Sequence, residues 1–131
     1  MREILFRGKR IDNGEWITGG IFQQKADDVK DEVVYIIDNS SNDVDWAHRV
    51  IADTVGQYTG LTDRNGRKIF EGDIVNILTE NEEFGIITYD DGGFFVDAST
   101  FSVDFMNNIN GSDIEVIDNI HDNPELLEVV E

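Results

Sequence analysis

The 131-residue chain contains no cysteine. Disulfides, thiolate nucleophiles and cysteine-ligated zinc are therefore excluded. Proline is nearly absent, with Pro124 standing alone. Long apolar runs are missing as well. The longest near the middle, Val33-Val34-Tyr35-Ile36-Ile37, falls far short of the roughly 20 residues a membrane-spanning helix needs. The opening segment MREILFRGKR carries no apolar stretch before a small-residue cleavage site, so no signal peptide is expected. These absences lead to the expectation of a soluble, cytoplasmic protein without membrane association. Basic charge is missing from one half. All ten Lys and Arg lie at or before Lys68, with twelve of the 28 acids, for a net charge of −2. Sixteen acids and no Lys or Arg follow, for a net charge of −16. That half repels phosphates, which disfavours direct nucleic-acid binding. It suits a solubilising surface, and it also suits attraction of cations, of a protein with a basic surface, or of the N-terminal half of another copy.

What is present is short strands and turn residues. With 40% apolar residues the chain can build a core, and its length predicts one domain, 1–131, with two lobes. Helical periodicity is scarce. Short β-branched and aromatic runs alternate with Gly, Asn and Asp, the pattern of a mainly-β domain. Asn13-Gly14 predicts a two-residue type I′ turn, which would pair Ile11 with Trp16, Gly8 with Gly19 and Phe6 with Ile21. Facing glycines at 8 and 19 predict a bulge, a bend or close approach of another backbone. Asn65-Gly66 predicts a second hairpin, with Asp63 opposite Lys68 and Leu61 opposite Phe70. Asp91-Gly92 predicts a third, with Tyr89 opposite Phe94. Residues 33–38 and 46–51 read as strands, and 23–32, 39–45 and 107–113 as loops. After Glu71-Gly72, segments 73–78, 84–90 and 94–97 predict a three-stranded curl of SH3-like pattern. At the C-terminus Asn123 is a predicted N-cap and Pro124 a first helical residue, with Glu125 in the first turn. A helix of at most about two turns follows, too short to stand alone. Leu126 and Leu127 would dock on the sheet, so that it covers a sheet edge or a neighbouring subunit.

The residues that carry chemistry fall short of every catalytic pattern. Gly60 and Gly66 are spaced one residue too far for a phosphate loop, and Arg67 stands where Lys-Ser or Lys-Thr belongs. Aligning Gly66 with the turn glycine of a calcium loop puts Leu61 and Gly72 at two essential ligand positions. His48 and His121 are the only histidines, and no serine lies in a Gly-x-Ser-x-Gly elbow. His48 reads as a partly buried packing residue, on the face of Trp46. Adjacent carboxylates such as Asp90 and Asp91 point to opposite faces of a strand. No enzyme, cofactor or metal site is expected. The candidate functional residues are of another kind. Gln57, Tyr58 and Thr59 set a polar pair around an aromatic. They either line a groove or satisfy backbone groups where the two halves of the chain meet, the latter being preferred. Asp73, at the lead into the curl, joins them. Phe94 and Phe95 project to opposite faces, so one ring is expected outside the core. Phe94, Trp16 and Trp46 are candidates for a subunit interface.

Four segments resemble the YopX protein family. They are REILFRGKR at 2–10, NGEWITGG at 13–20, VGQYTGLTDRNGRKIFEGDIV at 55–75 and IEVIDNIHDNPELL at 114–127. Asp118 stands where the family usually has Gly, and His121 where it usually has Tyr. The resemblance implies a mainly-β, YopX-like fold of antiparallel hairpins. It divides into an N-terminal β lobe of about 1–60 and a C-terminal lobe of about 61–131, the latter with an SH3-like small barrel portion and the short helix. It also implies an origin in phages or prophages of Gram-positive bacteria, a place in the host cytoplasm and self-association. It supplies no catalytic residue. The expected function is a non-enzymatic, self-associating protein that binds another macromolecule, such as a host or phage protein with a basic surface. The alternatives are an acidic nucleic-acid mimic that occupies a host DNA-binding protein, and a cryptic Asp/Glu-based metal site or enzyme.

Overall fold

The computed structural model describes residues 3–24, 33–38, 47–78, 83–90, 92–98, 102–104 and 110–126. These residues form a mainly antiparallel β structure whose helical segments are single 3₁₀ turns. The chain separates into two units, Met1–Tyr58 and Thr59–Glu131.

The first unit holds β1 (Phe6–Lys9), β2 (Trp16–Gln24), β3 (Val33–Ile37) and β4 (Ala47–Val50), with β5 (Gly56–Thr62) beginning in it and ending in the second. Strand order is β4-β3-β2-β1-β5. The first hairpin differs in register from its expectation. Phe6 pairs with Gly19, Gly8 with Ile17 and Lys9 with Trp16. A four-residue loop, 11–14, replaces the two-residue turn. The Arg10 amide donates to the Glu15 carbonyl at 2.9 Å, and the Gly14 amide to the Arg10 carbonyl at 3.0 Å. The cause is local. Asn13 Oδ1 accepts the Glu15 amide at 2.9 Å, an Asx bond that competes with the tight turn. The shift is even, so the same side chains still face inward. It removes the opposed glycines, yet the close approach is real. A Cβ at Gly19 would collide with the Ile37 carbonyl oxygen, and one at Gly8 would press on Val50 at 3.0 Å.

Alternation sorts this sheet into two faces. One carries the buried Val34, Ile36 and Val50, with Phe6, Ile17, Ile21 and Val55 packed against them. Residues 23 and 24, expected in a loop, extend β2 opposite Val34 and Val33. A 3₁₀ turn at Ala52–Thr54 leads into β5. There Thr54 Oγ1 accepts the Lys9 amide at 2.9 Å and donates to the Ile51 carbonyl at 2.6 Å. A buried hydroxyl is thus satisfied in both roles, as burial requires.

The second unit continues from the end of β5 into β6 (Lys68–Phe70), then β7 (Asp73–Ile77), β8 (Glu83–Asp90), β9 (Gly93–Ala98), β10 (Ser102–Asp104) and β11 (Ile114–Asn119). Three residues, 64–66, close the β5–β6 hairpin. The Asp63 amide donates to the Arg67 carbonyl at 2.8 Å and the Gly66 amide to the Asp63 carbonyl at 3.0 Å. Gly66 sits at φ +82°, the left-handed residue of a three-residue hairpin loop. Asp63 therefore faces Arg67, not Lys68. The third hairpin matches its expectation, with Tyr89 opposite Phe94. Their rings meet edge to face with centroids 5.2 Å apart.

The meander expected after Gly72 is β7, β8 and β9. Pairing adds β10 beyond β9 and β11 beyond β7, two strands absent from the sequence reading. This five-stranded antiparallel sheet does not by itself establish SH3-like closure. Its core is Ile69, Val75, Ile77, Ile87, Phe94, Val96, Ile114 and Val116. β11 alternates buried Ile114 and Val116 with outward Glu115. A register shift against β7 between Val116 and Asp118 leaves Ile117 as the extra residue of a bulge.

Of the expected C-terminal helix, the described residues hold only the start. Over the described residues Pro124–Leu126 make one 3₁₀ turn, and Leu127 lies outside them. A tight turn precedes it. Asn119 Oδ1 accepts the His121 amide at 3.0 Å and the Asp122 amide at 2.9 Å, while the Asn123 amide donates to the Asn119 carbonyl at 3.1 Å. The Asn123 side-chain amide donates to Asp118. Asp118 also accepts the Asn119 amide at 2.8 Å, so the carboxylate at this unusual position organises the turn.

Candidate functional site

The polar trio at 57–59 is explained mostly by backbone hydrogen bonding. Phe6 pairs with Gln57, which is half-buried. The Tyr58 amide donates to the Leu5 carbonyl at 2.8 Å, and the Tyr58 ring is buried. Thr59 is wholly enclosed. Its hydroxyl donates to the Ile69 carbonyl at 2.9 Å and accepts the Leu61 amide at 3.2 Å. Thr59→Val keeps the shape and removes both bonds. Its expected cost is about 1–2 kcal/mol of unfolding free energy, measured by urea denaturation. An unchanged midpoint would return Thr59 to the functional candidates.

Asp73 is likewise enclosed, and its Oδ2 accepts the Phe70 amide at 2.8 Å. It closes the turn between β6 and β7. Phe94 requires a correction. It lies in the core at 3% exposure, because its position in β9 alternates inward with Val96, and Phe95 is the ring on the other face. Trp46 lies outside the described residues. Among the described residues no group of three His, Cys, Asp or Glu is placed to hold a metal ion.

Asp63, read from sequence only as an acidic neighbour of a turn, is a structural centre of the second unit. It is 5% exposed. Oδ1 accepts the Asn65 and Arg67 amides, each at 2.9 Å, and Oδ2 accepts the Val116 amide at 3.0 Å. Burial pushes its carboxyl up. The amides of Val116, Arg67 and Asn65, with the Arg67 charge, outweigh that and hold it below the ordinary carboxylate value. The Arg64 amide donates to the Ile114 carbonyl at 3.0 Å and the Arg67 guanidinium to the Val116 carbonyl at 3.4 Å, so this hairpin and β11 are joined by three hydrogen bonds.

Of the two proposed interface aromatics among the described residues, Phe94 is in the core and Trp16 stands at a surface, with company that sequence reasoning missed. The outer face of the first unit's sheet sets it in register with Lys9, and Arg7 with Thr18. The Arg7 guanidinium carbon lies 4.8 Å from the Trp16 ring centroid and Lys9 Nζ 5.8 Å from it, both within cation–π range. Across the next strands Phe22, Tyr35 and Arg49 form one row. Phe22 is 53% exposed and its ring centroid is 6.3 Å from that of Tyr35. The signal was the period of two in WITGGIF, which puts Trp16, Thr18 and Phe22 on one face. Finding it required the register with β3, which no turn residue specified.

The outer face of the second unit's sheet has the opposite charge. One cross-strand row runs Glu115, Asn76, Phe84 and a second runs Asp97, Ile86 and, at its enclosed end on β7, Ile74, with Thr88 beside Phe95. Phe84, Ile86 and Phe95 are half-buried. No Lys or Arg occurs in β7 to β11.

Similarity to known proteins follows the whole chain. The family model for YopX protein matches residues 5–128. The crystal structure of protein EF1440 from Enterococcus faecalis is similar, at 28% identity and TM-score 0.59 over 97% of this chain and 99% of that one. No curated protein matches this chain. No helix among the described residues is long and apolar enough to cross a membrane. With a family match over nearly its full length and a solved structure that agrees with it end to end, the chain belongs to the YopX family.

Proposed function

We propose that this chain is a non-enzymatic binding protein of phage or prophage origin. It acts in the host cytoplasm, self-associates, and holds another macromolecule on its outer sheet faces. The observation that carries this reading is the outer face of the first unit. Phe22 is more than half exposed there, beside Tyr35 and in a sheet with Trp16, Arg7, Lys9 and Arg49. Aromatic rings and arginine together are the side chains that dominate protein interfaces. Static light scattering across salt concentrations tests the self-association. Assemblies larger than one chain are expected at tens of micromolar protein, and a strictly monomeric protein there removes that part of the reading.

The net charge of −16 after Lys68 favours a second reading, imitation of a phosphate track to occupy a host DNA-binding protein. Immobilised protein should then retain a DNA-binding protein from host lysate at low salt and release it as salt rises. Retention of nothing basic would dispose of this alternative.

A further inference from the structure

We propose that copies of this chain join head to tail. The basic aromatic face of the first unit of one copy docks on the acidic face of the second unit of the next. This rests on the self-association proposed above and goes further by naming the two surfaces and the symmetry.

The argument is one of charge and self-complementarity. The first face carries Arg7, Lys9 and Arg49 among Trp16, Phe22 and Tyr35. The second carries Glu115, Asp97 and Asp90 among Phe84, Ile86 and Phe95. A two-fold dimer sets the same patch against itself. Through either face that juxtaposes like charges, which costs affinity. Apposing the two different faces pairs opposite charges and buries apolar rings from both sides. A contact between unlike patches leaves one of each free at the ends. It therefore closes into a ring or extends as a filament.

The test uses two full-length variants, each checked for folding by circular dichroism. Lys9→Glu with Arg49→Glu breaks the basic face. Asp97→Lys with Glu115→Lys breaks the acidic one. Each alone should associate about tenfold more weakly than wild type or worse, and sediment as a single chain where wild type assembles. Mixed in equal amounts they should assemble again, since the intact faces pair with each other and the two charge-reversed faces are complementary in turn. Either variant assembling as wild type does would overturn the proposal. So would a mixture that stays single while wild type assembles, which leaves self-association itself intact. A monomeric wild type removes the underlying reading first. Should a charge-reversed chain fail to fold, Arg49→Gln and Glu115→Gln with a salt series on wild type replace it. Association should then weaken about tenfold or more between about 50 and 500 mM salt, and salt-insensitive assembly overturns the proposal. A labelled single-stranded oligonucleotide bound by wild type and lost in the basic-face variant, without self-association, would assign that face to nucleic acid instead.

Discussion

Replacing Asp63 by Ala is expected to lower the unfolding free energy by about 3–5 kcal/mol. Three backbone amides converge on this carboxylate, from Asn65, Arg67 and Val116. At 5% exposure water does not readily replace it. Each buried donor left without an acceptor costs about 1–3 kcal/mol, and hydrogen bonds to a charged group lie at the strong end. A domain of this size has about 5–15 kcal/mol in total, so the variant loses a large share of its stability. Asp63→Asn retains one acceptor oxygen and turns an NH₂ group toward the remaining donors. It should fall between wild type and Ala. Guanidinium denaturation at neutral pH measures all three. A loss below about 1 kcal/mol for the Ala variant would show that the convergence of amides on Asp63 does not stabilise the fold.

The same carboxylate predicts a pH dependence with a definite sign. Its folded pKa is held below that of the unfolded chain. Its contribution is therefore fully present above the unfolded value, near 4. It is lost as pH falls through the lower, folded value. Wild type should lose stability on acidification in that range. The gap between wild type and Asp63→Ala should narrow there, because protonation removes in one chain what substitution removed in the other. A gap that stays constant from neutral pH down to about pH 3 would contradict the assignment.

Ile36→Ala is expected to cost about 2–5 kcal/mol. Ile36 is fully enclosed, and among the described residues Val34 and Val50 form the buried cluster of the first unit with it. Its Cγ2 also lies 3.4 Å from where a Cβ at Gly19 would stand, so the neighbouring strand approaches closely. Backbone packed at this distance collapses little into a cavity, which places the cost toward the upper end. Thermal and urea denaturation followed by tryptophan fluorescence report it, since Trp16 lies on β2, paired with β3 in the same sheet. A loss under about 1 kcal/mol would mean that the first unit's core repacks freely.

Legibility followed the range of the interaction that decided each feature. Asp91-Gly92 gave the right register for Tyr89 and Phe94, since a two-residue turn leaves no freedom. Asn13-Gly14 failed by two residues because the Asn13 side chain bonded to the Glu15 amide, a competition the dipeptide does not reveal. β11 was missed although Ile114 and Val116 alternate properly. The family-like segment around it ends in a turn-rich stretch, and its partner β7 lies some forty residues earlier. Phe94 and Phe95 were correctly placed on opposite faces, but which face is the core depends on Val75, Ile87 and Val116 from other strands.

The sequence by itself determined the mainly-β character, the absence of cysteine chemistry and the division of charge at Lys68. Each of these is a property of residue type or of neighbours a few positions apart. Only the tertiary structure decided what the polar residues do. Thr59 and Asp73 moved from candidate groove residues to satisfied, enclosed side chains. Asp63 moved from a turn neighbour to the acceptor that binds the β5–β6 hairpin to β11. Only tertiary pairing also put Phe22, Tyr35 and Arg49 in one row. The reason is physical: a hydrogen bond across 53 residues, or a row across three strands, is fixed by register and burial, and the local sequence encodes neither.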